Sequence, residues 1–306
     1  MLHRVIFLLI ILTIIWSCKK YPRGTLNEFK SSKLMMDSTF TTKGPIHSLN
    51  VDFISEASGI AASRNHIGWF YVHNDSGNPA ELFIIDSVGK YVGKINPNGI
   101  QNRDWEDIAI GPGPDSLKNY IYIGDSGDNN ERRKKYFIYR IEEPKFSDTI
   151  IYPFIINLEA DRISFEYPLR KSNNCEALMI DPITKDLILA TKSYESGIYR
   201  IKYPYSITTT NPAELIISVP IEKLTAGDFS SDGSELLIKD YRQIYHWNRN
   251  LNISVDSMLK TKPNKYPYLI EQQGEGLCWA VNGKSYFTLS ELENGKKQYL
   301  IRYDKK

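Results

Sequence analysis

Five imperfect copies of one short motif constrain this chain more than any other feature. The fullest copy is Asp104-Trp105-Glu106-Asp107-Ile108-Ala109, and the others are Glu56-Ala57-Ser58-Gly59-Ile60, Asn174-Cys175-Glu176-Ala177-Leu178, Leu224-Thr225-Ala226-Gly227-Asp228 and Gly274-Glu275-Gly276-Leu277. Aligned on the apolar residue, one column reads Ser58, Glu106, Glu176, Ala226 and Glu275, at intervals of 48, 70, 50 and 49 residues. Periods of roughly 40 to 50 residues fit propeller blades of four strands, each too small to bury its faces alone. Between the copies lie short runs rich in β-branched and aromatic residues, such as Trp69 to His73, Tyr120 to Ile123 and Gln243 to Trp247, punctuated by Gly, Asn, Asp and Pro. The reading is an all-β, five-bladed β-propeller.

Ring closure can be traced in the same way. Blade five runs out at the C-terminus before its outer strand, whereas Ile46 to Ile54 precedes the first copy and has no blade of its own. That segment is expected to complete the last blade and leave no free sheet edge. The extra length of blade two falls in Glu142 to Asp161, where Tyr152 to Leu158 reads as an added strand, and Ile253 to Leu259 reads as the outer strand of blade four. The propeller domain is assigned to residues 46–306, and residues 19–45 to a flexible tether with few large apolar residues in register.

Residues 1–18 have the layout of a targeting segment. His3 and Arg4 are followed by an apolar run, Val5 to Ile15, shorter than the roughly 20 residues that span a bilayer as a helix. The ending Ser17-Cys18 resembles the lipobox of bacterial lipoproteins, which implies a lipidated Cys18 as the mature N-terminus. Lys19 in place of an acidic residue resembles outer-membrane sorting. The expected location is the cell envelope, anchored through lipid to the outer membrane, as a monomer. Cys175 and Cys278 occupy inner strands of non-neighbouring blades and are read as unpaired, buried small hydrophobes. With 38 basic against 36 acidic residues and a net charge of +2, the chain lacks the electrostatic footprint of a nucleic-acid binder. Its most basic stretch, Glu131 to Lys135, reads as a solvated loop.

In a propeller the start of each first strand and the end of each second strand lie on one face. This places Glu106, Glu176 and Glu275 at one channel mouth, with Asp75, Asp125, Asp240 and Glu291 behind them and Glu56 and Asp104 as a second tier. Converging carboxylates repel and are costly to desolvate, so the arrangement needs a cation or protons. Several carboxylates without His or Cys suit Ca²⁺, and the metal set is read as Glu106, Glu176, Glu275, Asp75 and Asp125. The competing reading has Lys192 and Lys239 neutralise the ring. Asp128-Asn129-Asn130 reads either as a turn or as a calcium loop. No Gly-x-Ser-x-Gly, His-Glu-x-x-His or Walker motif is present.

The motifs Glu56-Ala57-Ser58-Gly59-Ile60, Asp104-Trp105-Glu106-Asp107-Ile108-Ala109, Glu176-Ala177-Leu178, Leu236-Leu237-Ile238-Lys239-Asp240 and Glu275-Gly276-Leu277 together resemble the SdiA-regulated family of bacterial propellers, distantly similar to NHL-repeat and strictosidine-synthase-like proteins. That resemblance implies a five-bladed propeller with a calcium site. Two functions follow as expectations: a module that holds a small-molecule or protein ligand at the channel mouth, or a Ca²⁺-dependent hydrolase of esters, lactones or phosphoesters in which His73 or a ring glutamate handles protons.

Overall fold

Each sheet of the molecule is four or five strands wide and is built around one motif copy. The computed structural model describes residues 27–42, 44–49, 51–147, 149–292 and 297–306. The chain opens with β1 (Ile46–Ser48) and then builds blade one from β2 (Ala57–Ala62), β3 (Trp69–Asn74), β4 (Leu82–Asp86) and β5 (Tyr91–Asn98). Blade two contains β6 (Trp105–Pro112), β7 (Asn119–Asp125) and β8 (Tyr136–Glu142). The chain next leaves it for β9 (Phe154–Glu159) and returns as β10 (Asp161–Glu166). Blade three is β11 (Cys175–Ile180), β12 (Leu187–Thr191) and β13 (Ser196–Ile201), then β14 (Asn211–Pro212) departs and β15 (Glu214–Val219) completes it. Blade four is β16 (Leu224–Phe229), β17 (Glu235–Asp240), β18 (Ile244–Asn248), the helix α1 (Val255–Leu259) and β19 (Asn264–Tyr266). Blade five is β20 (Gly274–Trp279), β21 (Ser285–Ser290) and β22 (Tyr299–Asp304), with β1 antiparallel to β22 as its outer strand, Ile46 opposite Ile301.

The inner strands β2, β6, β11, β16 and β20 contact one another in turn around a closed ring. All six residues of β11 and of β20 are buried, because blades cover both of their faces. Apart from Glu176 and Glu275 they read as small and apolar runs, whereas the edge strand β9 alternates covered and exposed residues. The core is correspondingly divided into five inter-blade layers. Ile60, Val72, Phe287 and Leu289 fill the seam between blades five and one, and Met179, Ile188, Phe229 and Leu236 fill the seam between three and four. Cys175 and Cys278 are free thiols inside this apolar packing.

Three expectations are corrected. The segment Tyr152–Leu158 does add a strand, but β9 lies parallel to β5 in blade one rather than in blade two, and β14 in turn lies parallel to β10 of blade two. Each of these short strands caps the edge of the preceding blade. The stretch Ile253–Leu259 is not a strand: Ser254 caps the helix α1 by accepting from Ser257 N, and β19 supplies the outer edge. Finally, residues 27–42 of the expected tether run along the outer rims of blades three, four and five. Asn27 N donates to Ser218 O at 3.0 Å, Met36 and Phe40 bridge to Lys265 and Lys305, and Leu34 and Phe40 are buried. The apolar residues of this strap are too widely spaced to form an element alone, yet each meets an apolar gap between outer strands. Among the described residues no helix is long and apolar enough to cross a membrane. The targeting segment and Cys18 lie outside the described residues.

Candidate functional site

At the same point of every inner strand the ladder to the second strand slips by one residue. The slips fall between Ala57 and Gly59, Trp105 and Ile108, Cys175 and Ala177, Leu224 and Ala226, and Gly274 and Gly276. The five motif copies are thus five β-bulges, which turn side chains out of the pleat at the channel mouth. The bulged residues are Ser58, Glu106, Glu176, Thr225 and Glu275. Blade four therefore contributes Thr225 to the column, one residue before the expected Ala226, and Thr225 spends its hydroxyl on Gly274 O of blade five at 3.5 Å. Ser58 likewise donates to Glu106 O at 2.7 Å.

The acids of the expected ring stay in one connected cluster, in which Glu106 and Glu176 act directly on each other. Asp75, Asp104 and Glu106 each offer a carboxylate oxygen within 4.8 Å of the other two. Asn102 fixes this corner by donating to Asn74 O and Asp75 O at 3.0 and 2.8 Å, while its own carbonyl accepts Trp105 N. Gly127 crosses directly over the acids, and a Cβ there would sit 2.0 Å from Glu106 Oε1. Burial, reinforced by Glu176, Asp75, Asp104 and Glu275, holds the Glu106 carboxyl well above the usual range. Burial with Glu275 and Asp104 pushes Asp75 up to about 6. Glu291 is pushed to about 8 by burial and by Glu275, Asp75 and Glu56.

Glu176 and Glu275 share a single lysine, which offsets one of their two charges. Lys192 Nζ lies 3.0 Å from Glu176 Oε2 and 3.8 Å from Glu275 Oε1, and Tyr241 donates its hydroxyl to Glu275. Burial alone would lower the Lys192 pKa, but the two glutamates raise it. Asn174 ties Glu176 to the blade-two loop, donating to Glu176 Oε1 at 2.6 Å and to Asn129 Oδ1 at 3.0 Å.

Asp125 does not face the cluster. Its carboxylate pairs with Arg133 at 2.9 Å and accepts from Tyr139. Arg133, expected on a solvated loop, is 6% exposed and also donates to Gly127 O. Asp240 caps its own turn through Arg242 N and Gln243 N. Asp128 does the same through Arg132 N and Arg133 N, so its loop is a turn. Lys239 does not reach the ring: it is fully buried, donates to Gly274 O and Thr225 Oγ1, and burial lowers it to about 8.

His73 is corrected as a candidate base. It is fully buried, edge-on to Trp105, with Nδ1 3.1 Å from Asn74 O. Burial lowers its pKa to about 4, and a substrate cannot reach it. His246 lies on the third strand of its blade, buried and stacked on Tyr266.

Asp107 escaped the sequence reading. Its fully buried carboxylate spans the channel, accepting from Ile108 N at 2.8 Å, Leu178 N at 2.9 Å and Gly227 N at 3.4 Å, and so ties blade two to blades three and four. The signal was present: the equivalent positions in the other copies hold Gly59, Ala177, Ala226 and Gly276.

No family model matches the chain, and no curated protein sequence is similar to it. Among solved structures, the major Malassezia sympodialis allergen Mala s 1 is similar with a TM-score of 0.54 and 9% identity, over 85% of this chain and 96% of that one. The PQQ-bound aldose sugar dehydrogenase of Streptomyces coelicolor is similar with a TM-score of 0.47 and 9% identity, over 87% and 99%. At such identities a likeness speaks to the fold alone. The five sheets and the closed ring of their inner strands make the chain a five-bladed β-propeller.

Proposed function

We propose that this chain is a lipid-anchored, extracytoplasmic propeller that binds Ca²⁺ at its channel mouth through Asp75, Asp104 and Glu106, and holds a ligand on the surrounding face. The observation that carries the reading is the convergence of these three carboxylates, with raised affinity for protons, at a place where Glu176 and Glu275 already take up Lys192. An oxygen-only set suits a hard cation, and a divalent ion would offset the repulsion that now favours protonation. The proposed set centres on these three because Glu176 and Glu275 share Lys192 and Asp125 pairs with Arg133. The resemblance to the SdiA-regulated family agrees with such a site, and Cys18 supplies the anchor.

Calorimetry and thermal melts on chelator-stripped protein test the metal. A hundredfold excess of Ca²⁺ over its dissociation constant should stabilise the fold by about 2.7 kcal/mol. Glu106→Gln, which keeps the shape and removes one charge, should abolish most of that shift. Absence of both binding and stabilisation in the wild type would remove calcium from the reading. For the anchor, detergent partitioning of wild-type protein and Cys18→Ala should differ, and identical behaviour would count against lipidation.

A further inference from the structure

A cleft of about 470 Å³ opens beside Lys192 on the same face, within the size range of small-ligand sites. Loops of four blades meet there: Asn129 and Glu131 from blade two, Tyr194 from blade three, Lys223 and Tyr241 from blade four, and Gln273 at the entry to blade five. Three features set it apart from the other hollows of the surface.

The first is backbone strain. Six non-glycine residues have φ in the left-handed region among the described residues, and three of them line this cleft: Glu131 at 48°, Lys223 at 55° and Gln273 at 47°. None is Asn or Asp, the non-glycine types that tolerate this conformation most readily, and such strain tends to gather at binding sites. The second is an aromatic side chain without apolar cover. Tyr194 is 84% exposed at the cleft wall, while Tyr241 is held in place opposite by Glu275 and by the Lys192 ammonium 5.2 Å from its ring. The third is charge balance. Lys192 is already shared by Glu176 and Glu275, Lys223 stands against Glu131 and Glu222, and the remaining polar groups include the amides of Asn129 and Gln273.

An anion would find Lys192 already engaged by two glutamates, and a cation would meet both lysines. A neutral ligand carrying many hydroxyls suits the wall better. Amides and carboxylates at fixed angles pair with adjacent hydroxyls, and the phenol ring of Tyr194 covers the C–H face of a sugar ring. We propose that this cleft is the ligand site of the face and that it takes a neutral saccharide. The proposal rests on the preceding reading only for the choice of face, since none of the three calcium ligands lines the cleft.

The test uses an array of neutral, acidic and amino oligosaccharides. It is followed by calorimetry with maltotriose, cellotriose and triacetylchitotriose, with sialyllactose and glucosamine as charged controls, each in calcium and in chelator. Binding of at least one neutral saccharide in preference to the charged ones is expected, and it should persist in chelator. Tyr194→Ala should weaken it at least about tenfold without lowering Tm, and Asn129→Ala should weaken it too. No neutral binder on the array, charged glycans bound as well as neutral ones, or affinity unchanged in both variants would each overturn the proposal. A calcium shift that fails while saccharide binding survives sinks the metal reading alone; the converse sinks this one.

Discussion

Asp107 shows how a single side chain can hold a ring together. Its carboxylate is burdened by burial, which raises its pKa well above the usual range even though three backbone N–H groups oppose the shift. The burden is offset because the carboxylate accepts from Leu178 N and Gly227 N on two other blades. Asp107→Ala would leave those donors buried and unpaired, at about 1 to 3 kcal/mol each. Chemical denaturation should therefore show a loss of several kcal/mol. A loss below about 1 kcal/mol would mean that water replaces the carboxylate at no cost. Glu106, one residue earlier, has the opposite character. The bulge turns it toward Asp75 and Asp104, where its charge opposes folding rather than supporting it.

At the scale of elements, the strap formed by residues 27–42 is the least expected part of the structure. Phe40 sits among the rings of Tyr266, Trp279 and Tyr286, with centroids 4.9 to 5.9 Å away, in the seam between blades four and five. Truncating a buried phenylalanine typically costs about 3 to 5 kcal/mol. Phe40→Ala should fall in that range by equilibrium unfolding, whereas Met35→Ala, in the same strap but 73% exposed, should be nearly neutral. Equal, small effects would mean that the strap is only loosely attached. The edge strands β9 and β14 act similarly. Each adds a short parallel strand to the rim of another blade, so neighbouring blades share chain as well as core.

For the molecule as a whole, the distribution of acids makes stability depend on pH in a definite sense. Folded-state pKa values are raised to about 6 for Asp75, about 7 for Glu176 and about 8 for Glu291, each chiefly by burial. A raised carboxyl binds its proton more tightly in the folded state, so its contribution is complete below the unfolded value near 4 and fades as pH rises through 6 to 8. Chelator-stripped protein should melt at a lower temperature at pH 8 than at pH 5. Calcium should narrow that gap, because it is held by the deprotonated forms. A higher Tm at pH 8 in chelator would show that these carboxyls are better solvated than their surroundings suggest.

The order of residues is enough for the five blades, their succession, closure of the ring by the segment from Ile46 to Ile54, of which Ile46–Ser48 forms the strand, and the face on which acids gather. All of these rest on local pattern: a motif at blade spacing, strand runs between turn residues, and one unpaired strand at each end of the domain. Which acids meet follows from the assembled ring. A bulge displaces the register by one residue, so Thr225 rather than Ala226 completes the column and Asp107 reaches across the channel. Which carboxylates remain without a cation depends on Lys192 and Arg133, whose partners lie on other strands or across a turn. The strap was equally illegible, because Leu34 and Phe40 form no periodic pattern of their own and gain their burial from gaps that exist only once the blades have closed.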